Sequence, residues 1–230
     1  MENLKAPRCV KPLAMEKIAE CRIHYLSDAS QAAYGVTAYP RVVDMKGKIQ
    51  CHLLLAKSRL APIKSVPIPR LELTVATLSI KLDNMIRRDL ELPVGESVFW
   101  TDSMTVLKYI NNDNKRYQTF VANKVATIRD GSTPSQWSYV DTKSNPADEA
   151  SRGLSANELL DDHRWLHGPE FLKREEAELP ATPALHMKVP DNDSEVKKVQ
   201  TCLAQMGQVI SVIDRLLERG SSWHRLKDVA

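Results

Sequence analysis

The sequence predicts a soluble α/β domain built on a mixed five-stranded sheet, with three antiparallel strands extended by βα crossovers and helices on the flanks. Two observations carry this. Strand-like runs cluster between Cys21 and Leu55, and the apolar period then switches to a helical one with short strands interspersed. A third bounds the class: among 230 residues, 43% are hydrophobic and 27% charged, enough for a sizeable core and against wholesale disorder.

Residues 1–20 carry Pro7 and Pro12 and no sustained period, which predicts a lead-in or linker. Strand-like text follows: Ile23 to Asp28, Ala32 to Tyr39, and Ile49 to Leu55, with Met45-Lys46-Gly47-Lys48 as a hairpin connection. Short joins between three successive strands predict an antiparallel meander. Beyond Pro62, Pro67 and Pro69, the residues Leu71, Val75, Leu78, Leu82 and Met85 recur at spacings of four and three. That marks one face of a helix, with Pro69 in its first turn and Pro93 just past its end. Ser97 to Thr101 is a buried-type strand, leading to a helix with Val106, Leu107 and Ile110. A further helix is expected from about Thr119 to Arg129, and Gln136 to Val140 gives a fifth strand. Asn145 then caps a helix that starts at Pro146.

Residues 21–155 are therefore expected to form the domain, 156–195 an acidic, proline-bearing extension and linker, and 196–230 a C-terminal helical extension. Its stripe runs through Val199, Leu203, Met206, Ile210, Ile213 and Leu217. No apolar run approaches the ~18 residues that span a bilayer, and the first residues lack the apolar core of a signal peptide. Four cysteines stand far apart with no C-x-x-C pair, arguing against a disulfide framework or zinc knuckle. The chain reads as soluble and from a reducing compartment. His163 and His167 share a helical face, but no glutamate follows His163 in the protease pattern and no nearby cysteine completes four zinc ligands.

Charge is uneven. Residues 1–70 hold 12 Lys/Arg against 5 Asp/Glu, whereas 149–195 hold 5 against 11. A basic first third can draw a polyanion to one face. Lys115, Arg116, Lys124 and Arg129 are candidates for a nucleic-acid face of sequence-independent phosphate contacts.

Four acids fall at the ends or starts of elements. Asp28 closes the first strand and Asp102 closes the run Val98 to Thr101, while Glu72 and Asp148 stand in first turns of helices. If those two strands are neighbours, Asp28 and Asp102 end side by side, and the two helix starts bring Glu72 and Asp148 toward the same spot. Four clustered carboxylates repel unless cations sit between them. Hard oxygen donors of this kind suit Mg²⁺, and two such ions are the apparatus of in-line phosphodiester hydrolysis.

These residues also resemble a known family. Leu26-Ser27-Asp28-Ala29-Ser30 with Ala33-Tyr34-Gly35, Ile68 to Leu73, Phe99 to Ser103 and Asn145 to Gly153 look like the ribonuclease H region of retrotransposon polyproteins. The likeness is to the Pao/BEL class of long-terminal-repeat elements, in forms found in fish. Lys57-Ser58-Arg59, Val106 to Ile110, Phe120 to Asn123 and Arg164 to Pro169 also resemble that class. The likeness runs in order over about residues 20–180, and weakly to Ser221 to Leu226, similar to an integrase lead-in.

The resemblance implies a ribonuclease H-like fold that cuts the RNA strand of RNA–DNA hybrids with two Mg²⁺ ions, for which Mn²⁺ can substitute. By it Asp28 bridges both metals, Glu72 and Asp102 hold the ion at the leaving group, and Asp148 helps hold the ion that activates water. Ser30 and Ser103 are candidates for positioning the nucleic acid. It further implies reverse-transcriptase and integrase domains as polyprotein partners, a cytoplasmic virus-like particle as location, and no membrane partner. The chain is expected to lack the polymerase domain and to end at the integrase lead-in. One departure stands out: Asp141 to Ser144 has no histidine where many ribonucleases H carry a mobile one. A catalytically silent binding remnant is the alternative expectation.

Overall fold

The computed structural model describes residues 17–161, 163–182 and 188–198. The expected C-terminal stripe from Val199 onward and most of the lead-in lie outside them. Strands β1 (Ile18–Ala29) and β2 (Ala33–Asp44) form the long antiparallel centre, in register from Cys21↔Val42 to Ala29↔Tyr34. Ser30 makes the tight join, its hydroxyl accepting from the Ala33 amide at 3.2 Å.

The expected third strand is in two pieces. Strand β3 (Ile49–Cys51) pairs with Arg41 to Val43, and β4 (Leu55–Leu60) pairs with Ala33 to Ala38. The break lies opposite Tyr39-Pro40, where the proline has no N–H to donate to a ladder. The intervening His52-Leu53-Leu54 bulges out, and the Leu53 amide finds the carbonyl of Leu166 at 2.8 Å instead. The sheet is thus five strand positions wide with six segments.

Helix α1 (Ile68–Asp89) starts with Pro69 in its first turn, as expected. It buries Leu73, Ala76 and Ile80 beside the predicted stripe, because it lies between the sheet and α3 (Thr119–Gly131). Strand β5 (Val98–Thr101) runs parallel to β1, with Ser27 matched to Thr101, and β6 (Trp137–Tyr139) runs parallel to β5. The Trp100 indole donates to His24 Nδ1 at 3.0 Å, tying the two strands that carry Asp28 and Asp102. Burial holds the His24 pKa down at about 3, so the imidazole stays the neutral acceptor this bond needs. Helix α2 (Met104–Ile110) follows β5, its start capped by Ser103, whose hydroxyl accepts from the Val106 amide at 3.3 Å.

The opposite sheet face is covered by α4 (Ala147–Arg152) and by residues of the acidic stretch. Phe171 and Leu172 are buried there with Leu26, Tyr39 and Trp100. Each such side chain contributes about 1.5–3 kcal/mol on burial. Phe171, Leu172 and the partly buried Leu179 therefore complete a core layer; α5 (Ala156–Asp161) and α6 (His163–His167) precede them in the chain. Residues 188–197 cross the other side. There Glu195 pairs with Arg70 through two bonds of 2.6 and 3.1 Å, and Val196 bridges to Tyr117.

Helix α4 comes close to β2 at Gly35, the residue matched to Asp28. A Cβ there would lie 2.5 Å from the Cβ of Ala150 and 3.0 Å from its backbone carbon. Gly35→Ala should therefore cost about 1–3 kcal/mol, since the clash is with helix backbone that cannot swing aside. Urea denaturation of the purified protein measures this, and an unchanged midpoint would mean that α4 yields freely.

Candidate active site

Asp28 and Asp102 each stand one residue past the matched pair Ser27↔Thr101, so two parallel neighbouring strands deliver them to the same sheet end. Asp28 is 7% exposed and Asp102 half-buried. The fully buried Asn145 locks α4 against this end: its side-chain amide donates to the Ser27 carbonyl at 3.1 Å, and its oxygen accepts from the Ala147 amide at 3.1 Å. That bond places Asp148 in the first turn of α4, which begins at Ala147, one residue later than the expected start at Pro146. Glu72 comes from the opposite layer, as the fifth residue of α1 and so just past the first turn in which it was expected, because the helix already begins at Ile68.

Each carboxylate has a partner. The Ser103 hydroxyl donates to Glu72 Oε2 at 2.6 Å, and that of Thr142 to Asp102 Oδ2 at 2.9 Å. The Ser151 hydroxyl donates to Asp28, and the Arg152 guanidinium to Asp148. Burial raises the Asp28 pKa, with Asp148 adding to it and Ser151 opposing it. Burial raises that of Glu72, with the charges of Asp102 and Asp28 adding to it. Asp102 is pushed up to about 6, by burial first and by Asp28 next. The four acids thus share one electrostatic field.

Among the described residues, no group of three or more acid, imidazole or thiol side chains stands close enough together to hold a metal ion. Each of the four carboxylates is instead turned to its own hydroxyl or guanidinium. The donor set still fits a hard divalent cation: ionised carboxylate oxygens are hard acceptors, and a cation between them would offset both the burial that raises the pKa values of Asp28, Glu72 and Asp102 and the repulsion that adds to it.

The expected basic face divides in two. Lys115 bonds the Val189 carbonyl at 2.6 Å and Asp191 at 2.7 Å. Arg129 holds the carbonyls of Ile110 and Asn112 and pairs with Asp113 at 2.9 Å. Both tie the chain to itself, and the exposed Arg116 lies beside them. Lys124 faces a separate cavity. Ser30 serves the β1–β2 turn and donates to the Ser151 carbonyl at 3.1 Å, so it steadies the residue that holds Asp28.

Sequence reasoning missed Thr142, Ser151 and Arg152. A signal for Arg152 existed: it stands four residues after Asp148, on the same helical face. The side chain of His163 lies outside the described residues. His167 is near His52, whose pKa is lowered by burial and by that neighbour.

A mixed sheet with an antiparallel β1–β2–β3/β4 side, parallel β5 and β6, and helices on both faces is the ribonuclease H-like fold. Residues 1–103 match the family described as Pao retrotransposon-like RNaseH-like domain, a stretch that includes Asp28, Glu72 and Asp102. No curated protein matches the chain. Among solved structures, the N-terminal RNase H domain of a Mycobacterium tuberculosis protein is similar at TM-score 0.38 and 14% identity, over 62% of this chain and 95% of that one. RNase H1 from Halobacterium salinarum gives 0.35 and 14%, over 63% and 99%. LC11-RNase H1, solved in complex with an RNA/DNA hybrid, gives 0.40 and 14%, over 61% and 99%.

Proposed function

We propose that this chain is a metal-dependent endonuclease that hydrolyses the RNA strand of RNA–DNA hybrids, within a Pao-type retrotransposon polyprotein that also carries reverse-transcriptase and integrase domains. One observation carries the reading: Asp28, Glu72, Asp102 and Asp148 come from four elements to one sheet end and raise or share one another's charge cost. Such an arrangement is unfavourable for stability and fits a site made for cations.

Asp28, Glu72, Asp102 and Asp148 would hold two Mg²⁺ ions, or Mn²⁺ in their place. When bound, the ions supply water activation and charge neutralisation at the scissile phosphate. Ser103, Ser151 and Thr142 orient three of the carboxylates from behind. Hybrid selectivity would come from 2′-hydroxyls and backbone shape rather than base edges.

The expected result is Mg²⁺- or Mn²⁺-dependent cutting of the RNA strand in a labelled hybrid by purified protein, with a double-stranded DNA control left intact. A second reading, a hybrid-binding module without chemistry, is favoured by Arg152 seated on Asp148, a cation already occupying one of the four acids. Hybrid binding by folded protein with no cleavage under either metal would move the assignment to that module.

A further inference from the structure

Residues 188–197 pass as a strap over the start of α1, the end of α2 and the join between α2 and α3. Three acids at alternate positions in it each take a partner on the surface below. Glu195 holds Arg70, Asp193 accepts from the Tyr109 hydroxyl at 2.9 Å, and Asp191 pairs with Lys115 at 2.7 Å. The Gln118 amide donates to the Glu195 carbonyl at 2.7 Å, and the Lys197 amide to that of Arg116 at 2.8 Å. Within the strap only Val189 is buried, while Asp191 is fully exposed. The strap is therefore held mainly by charge and polar bonds at the surface. Exposed pairs of this kind are weak one by one and are screened by salt, so a polyanion can compete for them.

We propose that the strap is an autoinhibitory phosphate mimic: its carboxylates occupy Arg70 and Lys115 in the free protein, and an RNA–DNA hybrid displaces it to reach them. Carboxylate and phosphate oxygens suit the same guanidinium and ammonium donors. The position of the hybrid rests on the nuclease reading, which puts the scissile phosphate at the four acids. Arg70 stands two residues before Glu72 on α1, and Tyr109 six residues after Ser103, the partner of Glu72. At ~1.5 Å per residue these are about 3 and 9 Å along the helices, at most about three nucleotides at ~3.4 Å of rise. A hybrid seated on the carboxylates thus extends onto the strapped surface. Three acids left in place there would repel its backbone. Binding then waits on the fraction of molecules in which the strap is open.

The test measures hybrid affinity in an Asp102→Asn background, so that binding is read without cleavage. Replacing the three acids together (Asp191→Asn, Asp193→Asn, Glu195→Gln) should raise affinity about tenfold at ~50 mM salt, because the surface is then always open. The gain should fade as salt rises, since the freed cations steepen the salt dependence. A control removes equal charge from the opposite sheet face (Glu170→Gln, Glu175→Gln, Glu178→Gln) and should change affinity by about twofold at most. Amide hydrogen exchange reads the same step with the strap unaltered, so a poorly folding variant does not decide the outcome. Hybrid should speed exchange across residues 188–197 and at Gln118, whose bond to Glu195 breaks when the strap leaves. A folded strap variant that binds no tighter than the control would overturn the proposal. So would exchange in the strap that hybrid leaves unchanged or slows, or a parent that does not bind hybrid. Failure of the nuclease reading looks different: wild-type protein binds hybrid, releases the strap and never cuts.

Discussion

Asp28→Asn is expected to lower RNA-strand cleavage by at least about 10³-fold while hybrid affinity stays within a few-fold of wild type. Bound metal supplies several kcal/mol of transition-state stabilisation, and each ~1.36 kcal/mol is a factor of ten in rate. Asp28 is the most central of the four acids. It is the least exposed, it couples to Asp148, Glu72 and Asp102, and it sits on the middle strand of the sheet. The amide keeps size and shape and can still accept from Ser151, so the fold has no reason to change. It removes the negative charge a cation needs. Single-turnover cleavage of a labelled hybrid, paired with a binding titration, reads both halves. Near-wild-type cutting would remove Asp28 from the site, and lost binding would show that the residue serves the fold or the substrate face instead.

Much of this site was legible because it depends on where strands and helices stop. Asp28 and Asp102 follow short apolar runs, and a parallel pairing of those runs suffices to bring them together. Glu72 and Asp148 follow prolines that mark helix starts. The groups that hold the carboxylates were not legible, because Ser103, Thr142 and Ser151 act across 31, 40 and 123 residues of sequence. The basic face misled for a geometric reason. Lys124 and Arg129 are five residues apart on α3, about 140° around a helix of 3.6 residues per turn, so they serve different surfaces. Phe171 and Leu172 were hidden by the acids around them, since two adjacent apolar residues carry no period.

The same crowding of charge should be visible in stability without any catalysis. With chelator present, Asp102→Asn should be more stable than wild type at pH 7, by about 1–2 kcal/mol after allowing for the partial exposure of this carboxyl to water. The sign follows from the direction of the shift. The folded pKa of Asp102, about 6, lies above its ordinary 3.8, so the native state favours the neutral acid. Wild-type stability from this group is full below about pH 4 and falls as pH rises through about 6. The amide never ionises, and its oxygen can still accept from Thr142, so the advantage of the variant should shrink on acidification and vanish near pH 4. Urea midpoints at about pH 4 and 7 measure this. A variant less stable than wild type at pH 7 would mean that the stronger bond Thr142 makes to a charged carboxylate outweighs the cost of burying that charge beside Asp28. Mg²⁺ should reverse the order at neutral pH, because an ion that binds only the folded wild-type site stabilises it by mass action. The residues that make the protein less stable when metal-free would then be those that make it more stable when loaded, as expected of a site shaped for a cation.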